Sequence, residues 1–140
     1  MKKIILAILV FSSVLFAAQP SSGKENIVVN VTSSENIKGP MAVMFAYKGL
    51  ERGLHMTILL NSQGVQLAIK NFQTPTNVRD GKSTQELLEK FIAKGGKVFV
   101  CPMCLDAMGY DKSQLIKGVE VSDADKTFGA ILASDKVISY

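Results

Sequence analysis

The run VFVCPMCLDAMGY, Val98 to Tyr110, holds both of the chain's 2 cysteines, Cys101 and Cys104, at the point where a short apolar stretch gives way to a helical pattern. Two thiols at this spacing support a short menu of chemistry: a structural bridge, disulfide exchange, capture of a soft metal, or carriage of a sulfur atom on a nucleophilic thiolate. Cys-Pro-Met-Cys resembles a redox motif with a proline inside it, but a thioredoxin-like motif follows an early strand, and here two strand-helix units come first. A closed zinc shell needs four ligands. The remaining candidates, His55, Met103 and Met108, are distant or scattered, although Cu(I) accepts two thiolates. A buried pair or a plain disulfide and a sulfur carrier complete the set, and residue types alone leave all four open.

Position sharpens the chemistry. Pro102 suits the first turn of a helix and Gly109 its end, so Cys101 is expected at the N-cap and Cys104 within the first turn. Unpaired N–H groups at a helix start favour an anion and lower a cysteine pKa, which predicts an activated thiolate at Cys101. Cys104 is placed to resolve a mixed disulfide or persulfide there, or to close a bridge with Cys101.

The elements that must hold this segment read as strands alternating with helices. NIVVNVTS (Asn26 to Ser33), LHMTILLN (Leu54 to Asn61), KVFVC (Lys97 to Cys101) and KVISY (Lys136 to Tyr140) are rich in β-branched and apolar residues and read as strands, KVFVC as one buried on both faces. Val119 to Val121 is ambiguous. Pro40 opens a helix whose Met41, Met44, Phe45 and Lys48 stripe is expected to pack on the sheet. Ser62 to Asn71 reads as a short helix or turn weakened by Gly64, and Phe72 to Lys82 as an irregular loop. Ser83 and Glu86 form a capping-box pattern ahead of Leu87, Leu88, Phe91 and Ile92, with Gly95-Gly96 as the stop. Lys112 to Ile116 adds a turn. Ser122 is expected to cap a last helix with Ala124, Phe128, Ile131 and Leu132 facing inward. The alternation predicts an α/β fold, a three-layer sandwich around a mainly parallel sheet of about five strands. No internal repeat, P-loop or GxGxxG pattern is present.

The amino terminus, MKKIILAILVFSSVLFAAQ, has the charged, apolar and small-residue order of a cleavable export signal. Its apolar run, Ile4 to Phe16, spans about 13 residues against the ~20 needed to cross a bilayer. The expected organisation is a signal peptide over 1–18, a flexible lead-in over 19–25 and one domain over 26–140, in a periplasmic or secreted protein with no membrane attachment after cleavage. An oxidising destination permits a disulfide without requiring one. Half of the formal charge of +4 sits on Lys2 and Lys3, and no basic cluster is interleaved with aromatics, which argues against nucleic acid as a partner.

His55 is the tempting general base, though a single strand histidine is more often packed or at the surface. Arg79 and Lys82 are candidates to steer an anionic sulfur species, and Asp106 to cap or salt-bridge. Met41, Met44 and Phe45 read as core or subunit interface.

The segment Cys101-Pro-Met103-Cys-Leu-Asp106-Ala-Met108-Gly109 resembles the Cys-x-Met-x-Met-Asp-x-Met-Gly segment of DsrE/DsrF-like proteins. So do GVQLA (Gly64 to Ala68), KGVEV (Lys117 to Val121) and the closing helix-strand pair, so that the similarity spans roughly Asn26 to Tyr140. The resemblance implies a DsrEFH-like fold and a sulfur carrier or sulfurtransferase that holds sulfane sulfur as a persulfide on Cys101. It also implies sulfur donors and acceptor thiols or proteins as partners, a trimeric or hexameric homo-oligomer, and no organic cofactor or metal. Cys104 stands where some relatives carry methionine or serine, which makes it a candidate resolving thiol.

Overall fold

β-Branched residues dominate the first strand, β1 (Asn26–Val31), and all six residues of a parallel partner, β2 (His55–Leu60), pair with it in register before the chain turns. The computed structural model describes residues 25–76 and 81–140; the expected signal, most of the lead-in and Arg79 lie outside them. Further along come α1 (Lys38–Glu51), a 3-10 turn (Ser62–Ala68), α2 (Thr84–Ala93), β3 (Lys97–Val100), α3 (Pro102–Ala107), a second 3-10 turn (Lys112–Gln114), β4 (Val119–Val121), α4 (Ala124–Leu132) and β5 (Lys136–Ser139). Among the described residues one five-stranded sheet forms, in the order β4-β3-β2-β1-β5, with every pairing parallel. This is the α/β class that the alternation predicts, and the ambiguous Val119 to Val121 is its edge strand.

The strand order decides which helix covers which face. From β1 to β4 the chain steps steadily in one direction, and right-handed crossovers then put α1, α2 and α3 on the same side. On that side Ile27, Val29, Val31, Met56, Ile58, Leu60, Val98 and Val100 pack against Ala42, Val43 and Ala46 of α1, Leu87, Leu88 and Phe91 of α2 and Leu105 of α3. The return from β4 to β5 runs the opposite way across the sheet, so α4 alone lies over the second face. KVFV is therefore not buried on both sides: Phe99 points at the thinly covered face and is half-buried.

Two helices turn a different stripe inward from the one their large apolar residues predict. In α1 the buried positions are Gly39, Ala42, Val43, Ala46 and Gly49, while Met41 and Phe45 are exposed, and the helix begins at Lys38, two residues before Pro40. In α4 the positions beside the sheet are Lys126, Gly129, Ala130 and Ala133; of the four residues expected to face inward, Ala124 is exposed, Phe128 and Leu132 are 62% and 83% exposed, and Ile131 is half-buried. In α1 the small residues let the helix axis approach the sheet closely, whereas α4 buries no residue and stands off the sheet across a cleft; in both, bulky residues are left on the outside. The cap of α4 also differs. Asp123 accepts the Lys126 N–H at 2.7 Å, whereas Ser122 is buried and donates its hydroxyl to the Val100 carbonyl at 3.1 Å.

The expected capping box on α2 is present in full. Ser83 Oγ accepts the Glu86 N–H at 3.1 Å, and Glu86 returns a carboxylate oxygen to the Ser83 N–H at 2.7 Å. Among the described residues no helix is long and apolar enough to cross a membrane.

Candidate functional site

In an open parallel sheet the loops beyond the carboxyl ends of the strands converge along one edge. Cys101 follows β3 at that edge. Its N–H continues the ladder to the Leu60 carbonyl at 3.0 Å, and its carbonyl accepts the Leu105 N–H at 3.0 Å, so it is the last residue of the strand pattern and the N-cap of α3 together. Pro102 occupies the first helical position as expected. The helix it opens is 6 residues long, too short to sum the dipole of a full-length helix, so electrostatic help at the cysteines must come from individual groups.

α3 is anchored through its buried Leu105, with Cys104 and Met108 packed partly against the same core. Gly109, with φ of +74°, ends it. Both cysteines are half-buried free thiols, Cys101 at the N-cap of α3 and Cys104 in its first turn. Met103, between them, is 80% exposed, which marks this rim as open to solvent.

The second wall comes from the neighbouring strand. The Ser62 N–H, just past the end of β2, donates to Cys104 Sγ at 3.1 Å. Burial is the largest influence on Cys104 and pushes its thiol pKa up. The neighbouring Cys101 side chain acts in the same direction, and the Ser62 amide opposes both by favouring the thiolate. The turn bearing Ser62 is tied to β1: the Asn61 N–H reaches the Val31 carbonyl at 2.9 Å and Asn61 Nδ2 reaches Asn30 Oδ1 at 2.6 Å.

The structure thus brings Cys101 and Cys104 together and separates His55 from them. His55 opens β2 at the opposite edge, five residues of strand before Leu60, which is roughly 17 Å at about 3.3 Å per residue. Asp106 is exposed on α3, and Lys82 precedes α2 on the cysteine edge. Among the described residues no three of the His, Cys, Asp and Glu side chains gather as a metal site. A cleft of about 240 Å³ between α4 and the sheet, lined by Val28, Thr57, Lys97, Phe99, Gly129 and Ala130 among others, contains neither cysteine. Ser62 is the participant that residue types did not announce. The available signal was its place in a polar Asn-Ser-Gln-Gly turn directly after a strand that neighbours β3.

A parallel α/β sheet carrying two adjacent thiols at the carboxyl edge of an inner strand defines a class of small single-sheet thiol protein. The chain belongs to the DsrE/DsrF-like family, whose model matches residues 25–140. It is 31% identical over 99 residues to the "Uncharacterized protein MJ0989" of Methanocaldococcus jannaschii, a match covering 71% of this chain and 83% of the relative. Among solved structures it is similar to the ychN protein of E. coli, with a TM-score of 0.67 at 23% identity over 83% of this chain and 99% of that one. It is also similar to MTH1491 of Methanobacterium thermoautotrophicum, a protein of unknown function, with a TM-score of 0.62 at 15% identity and the same coverage. At these identities the two structures show the fold.

Proposed function

We propose that this protein is an exported DsrE-like sulfur carrier that binds or transfers sulfane sulfur as a persulfide on Cys101, with Cys104 as the resolving thiol. The observation that carries the reading is the pair of free thiols at the start of α3, on the open carboxyl edge of the sheet, with the Ser62 amide on Cys104 Sγ at 3.1 Å. Membership in the DsrE/DsrF-like family is consistent with a sulfur-related role. In the loading step the Cys101 thiolate attacks the outer sulfur of a persulfide or polysulfide donor. The new S–S bond forms as the donor's own S–S bond breaks, and the donor leaves as a thiolate or shorter polysulfide. Partners are then the sulfur donor and an acceptor thiol, free or on a protein.

Two further parts of the proposal rest on other features. Export to the periplasm or the medium follows from the Lys2-Lys3, apolar and small-residue order of the amino terminus. A homo-oligomer, trimer or hexamer, is supported by the outward apolar residues Met41 and Phe45 on α1, Phe128 and Leu132 on α4, and Val137 on β5.

Intact-protein mass spectrometry before and after polysulfide, with Cys101→Ser and Cys104→Ser beside the natural sequence, tests the central claim. The expected result is a gain of about 32 Da that maps to Cys101 and is lost with Cys101→Ser. A stable loss of about 2 Da with no sulfur uptake, the mass of two hydrogens, would instead establish a plain disulfide and refute the carrier.

A further inference from the structure

Sulfur taken up on Cys101 has to leave again, and the turn after β2 is built in a way that bears on how. Ser62 has φ of +47°, in the left-handed region that residues with a Cβ seldom occupy. Such a conformation persists where the surroundings over-determine the backbone, and it concentrates at functional sites. Both sides of Ser62 are clamped. Before it, Asn61 is held to β1 through its backbone and its side chain, at 2.9 and 2.6 Å. After it, the Gly64 N–H returns to the Asn61 carbonyl at 2.9 Å, and Gly64 lies so close to β1 that a Cβ would overlap the Val31 carbonyl oxygen. Between these clamps the Ser62 N–H is aimed at Cys104 Sγ, 3.1 Å away.

We propose that Ser62 is a positioning residue: its amide holds the Cys104 sulfur against Cys101, so that Cys104 resolves a Cys101 persulfide by expelling hydrosulfide. The inference rests on the carrier reading above and adds the form in which sulfur departs. In this step Cys104 Sγ attacks Cys101 Sγ. A Cys101–Cys104 bond forms, the bond from Cys101 to its outer sulfur breaks, and the outer sulfur leaves with the electron pair. The proton given up by the Cys104 thiol accompanies it as HS⁻. The sulfane sulfur is reduced to sulfide while the two cysteines are oxidised to a disulfide, and an external dithiol reductant returns them to thiols. The carrier therefore stands between a reaction that supplies sulfane sulfur and a dithiol-disulfide exchange that resets it.

The amide has a physical reason to matter in that step. Charge builds on Cys104 as its proton leaves, and an N–H···S contact strengthens as its acceptor becomes anionic. Burial and the neighbouring Cys101 side chain favour Cys104 as a thiol at rest, and the Ser62 amide is the group that opposes them.

The test loads the protein with inorganic polysulfide, removes the excess and follows hydrosulfide release alongside intact mass, in the natural sequence and in Cys104→Ser, Ser62→Gly, Ser62→Asn, Ser62→Ala and Ser62→Val. Glycine and asparagine accept the left-handed backbone and keep the amide in place, alanine accepts it less readily, and a β-branched valine opposes it. Release is read per sulfur loaded on each variant, so that differences in loading do not enter the comparison. Cys104→Ser should retain the added sulfur, and Ser62→Val should release it about ten-fold more slowly than Ser62→Gly, the size of one charge-assisted hydrogen bond. Ser62→Ala should fall between them, which keeps the comparison decisive if the valine variant does not fold. The pH midpoint of release should move upward from Ser62→Gly to Ser62→Ala, because the lost contact favours the thiolate; a merely structural defect leaves that midpoint in place. Release from Cys104→Ser at the natural rate, or equal rates and midpoints across the Ser62 series, would overturn the proposal and leave the carrier reading standing. Failure of the natural sequence itself to gain sulfur would refute the carrier reading and this step with it.

Discussion

Replacing Gly64 or Gly129 with alanine is the same chemical change, yet the structure requires opposite outcomes. At Gly64 the added Cβ would run into the carbonyl oxygen and carbon of Val31, backbone atoms of β1, which is held on both sides by β2 and β5 and has no flexible end to yield. Overpacking of this kind costs about 1–3 kcal/mol, offset by roughly 0.4–1 kcal/mol from the less flexible unfolded chain. A net loss near ~1.5 kcal/mol, with a urea slope of about 1.5 kcal/mol per molar for a domain of this size, lowers the unfolding midpoint by about 1 M. At Gly129, inside α4, the added Cβ meets nothing within 4 Å. Helix propensity then adds close to ~1 kcal/mol, and the midpoint should rise by about 0.6 M. Urea unfolding followed by circular dichroism measures both. Shifts of the same sign, or a Gly64→Ala protein as stable as the natural one, would refute the claim that the Ser62 turn is packed directly on the β1 backbone. Because Gly64 also closes the turn onto the Asn61 carbonyl, the variant that unfolds more readily should slow sulfur release as well.

Three other outcomes follow from particular contacts. Ser83→Ala removes the N-cap of α2 and should cost about 1 kcal/mol in urea unfolding. Hydrogen bonds from Ser83 hold the Glu86 carboxyl below its ordinary pKa, so the contribution is present above the unfolded value of about 4.3 and lost as pH falls through the lower folded value. The stability gap between the natural protein and Glu86→Gln should therefore close in acid, and a gap that persists below that range contradicts the capping box. Cys104, pushed up chiefly by burial, should alkylate with iodoacetamide more slowly in folded Cys101→Ser than in the same protein unfolded in urea at about pH 8. Phe128→Asp with Leu132→Asp should leave circular dichroism unchanged and lower the assembly mass by light scattering, since neither side chain is buried within the chain. An unaltered mass removes the α4 face from the interface.

Residue types exposed some levels of this structure and hid others for identifiable reasons. Strand positions, the α2 capping box, Pro102 at the start of α3 and Gly109 at its end were readable because each depends on a local rule acting over a few residues. The stripes of α1 and α4 were not, because hydrophobic patterning favours the largest apolar residues. In α1, Gly39, Ala42, Ala46 and Gly49 carry little hydrophobic weight but allow close packing. In α4, Gly129, Ala130 and Ala133 line a cleft beside the sheet and no residue of the helix is buried, so periodicity had no buried stripe to find. Ser122 reads as the cap of the last helix, but its buried bond to the Val100 carbonyl leaves that role to Asp123, which a local rule does not weigh. The cysteine pair was legible as chemistry, whereas the Ser62 amide was not, since a backbone N–H belongs to every non-proline residue and acquires a role through geometry.

The strand order links these features to one another. Because β1 through β4 advance in a single direction, their crossovers cover one face fully and deliver β2 and β3 side by side, which is what sets the Ser62 turn beside the α3 start. The same order leaves the opposite face to α4, whose bulky residues face outward. A change that improved the seal of α4 against the sheet, such as a larger side chain at Ala130, would act on the second face and leave the cysteine edge as it is. A change in the Asn61 to Gly64 turn would do the reverse, because that turn is bonded to β1 and to Cys104 together. Stability of the second face and sulfur handling at the edge should therefore vary independently across variants. Non-additivity is expected instead between Gly64 and Ser62, which share one turn.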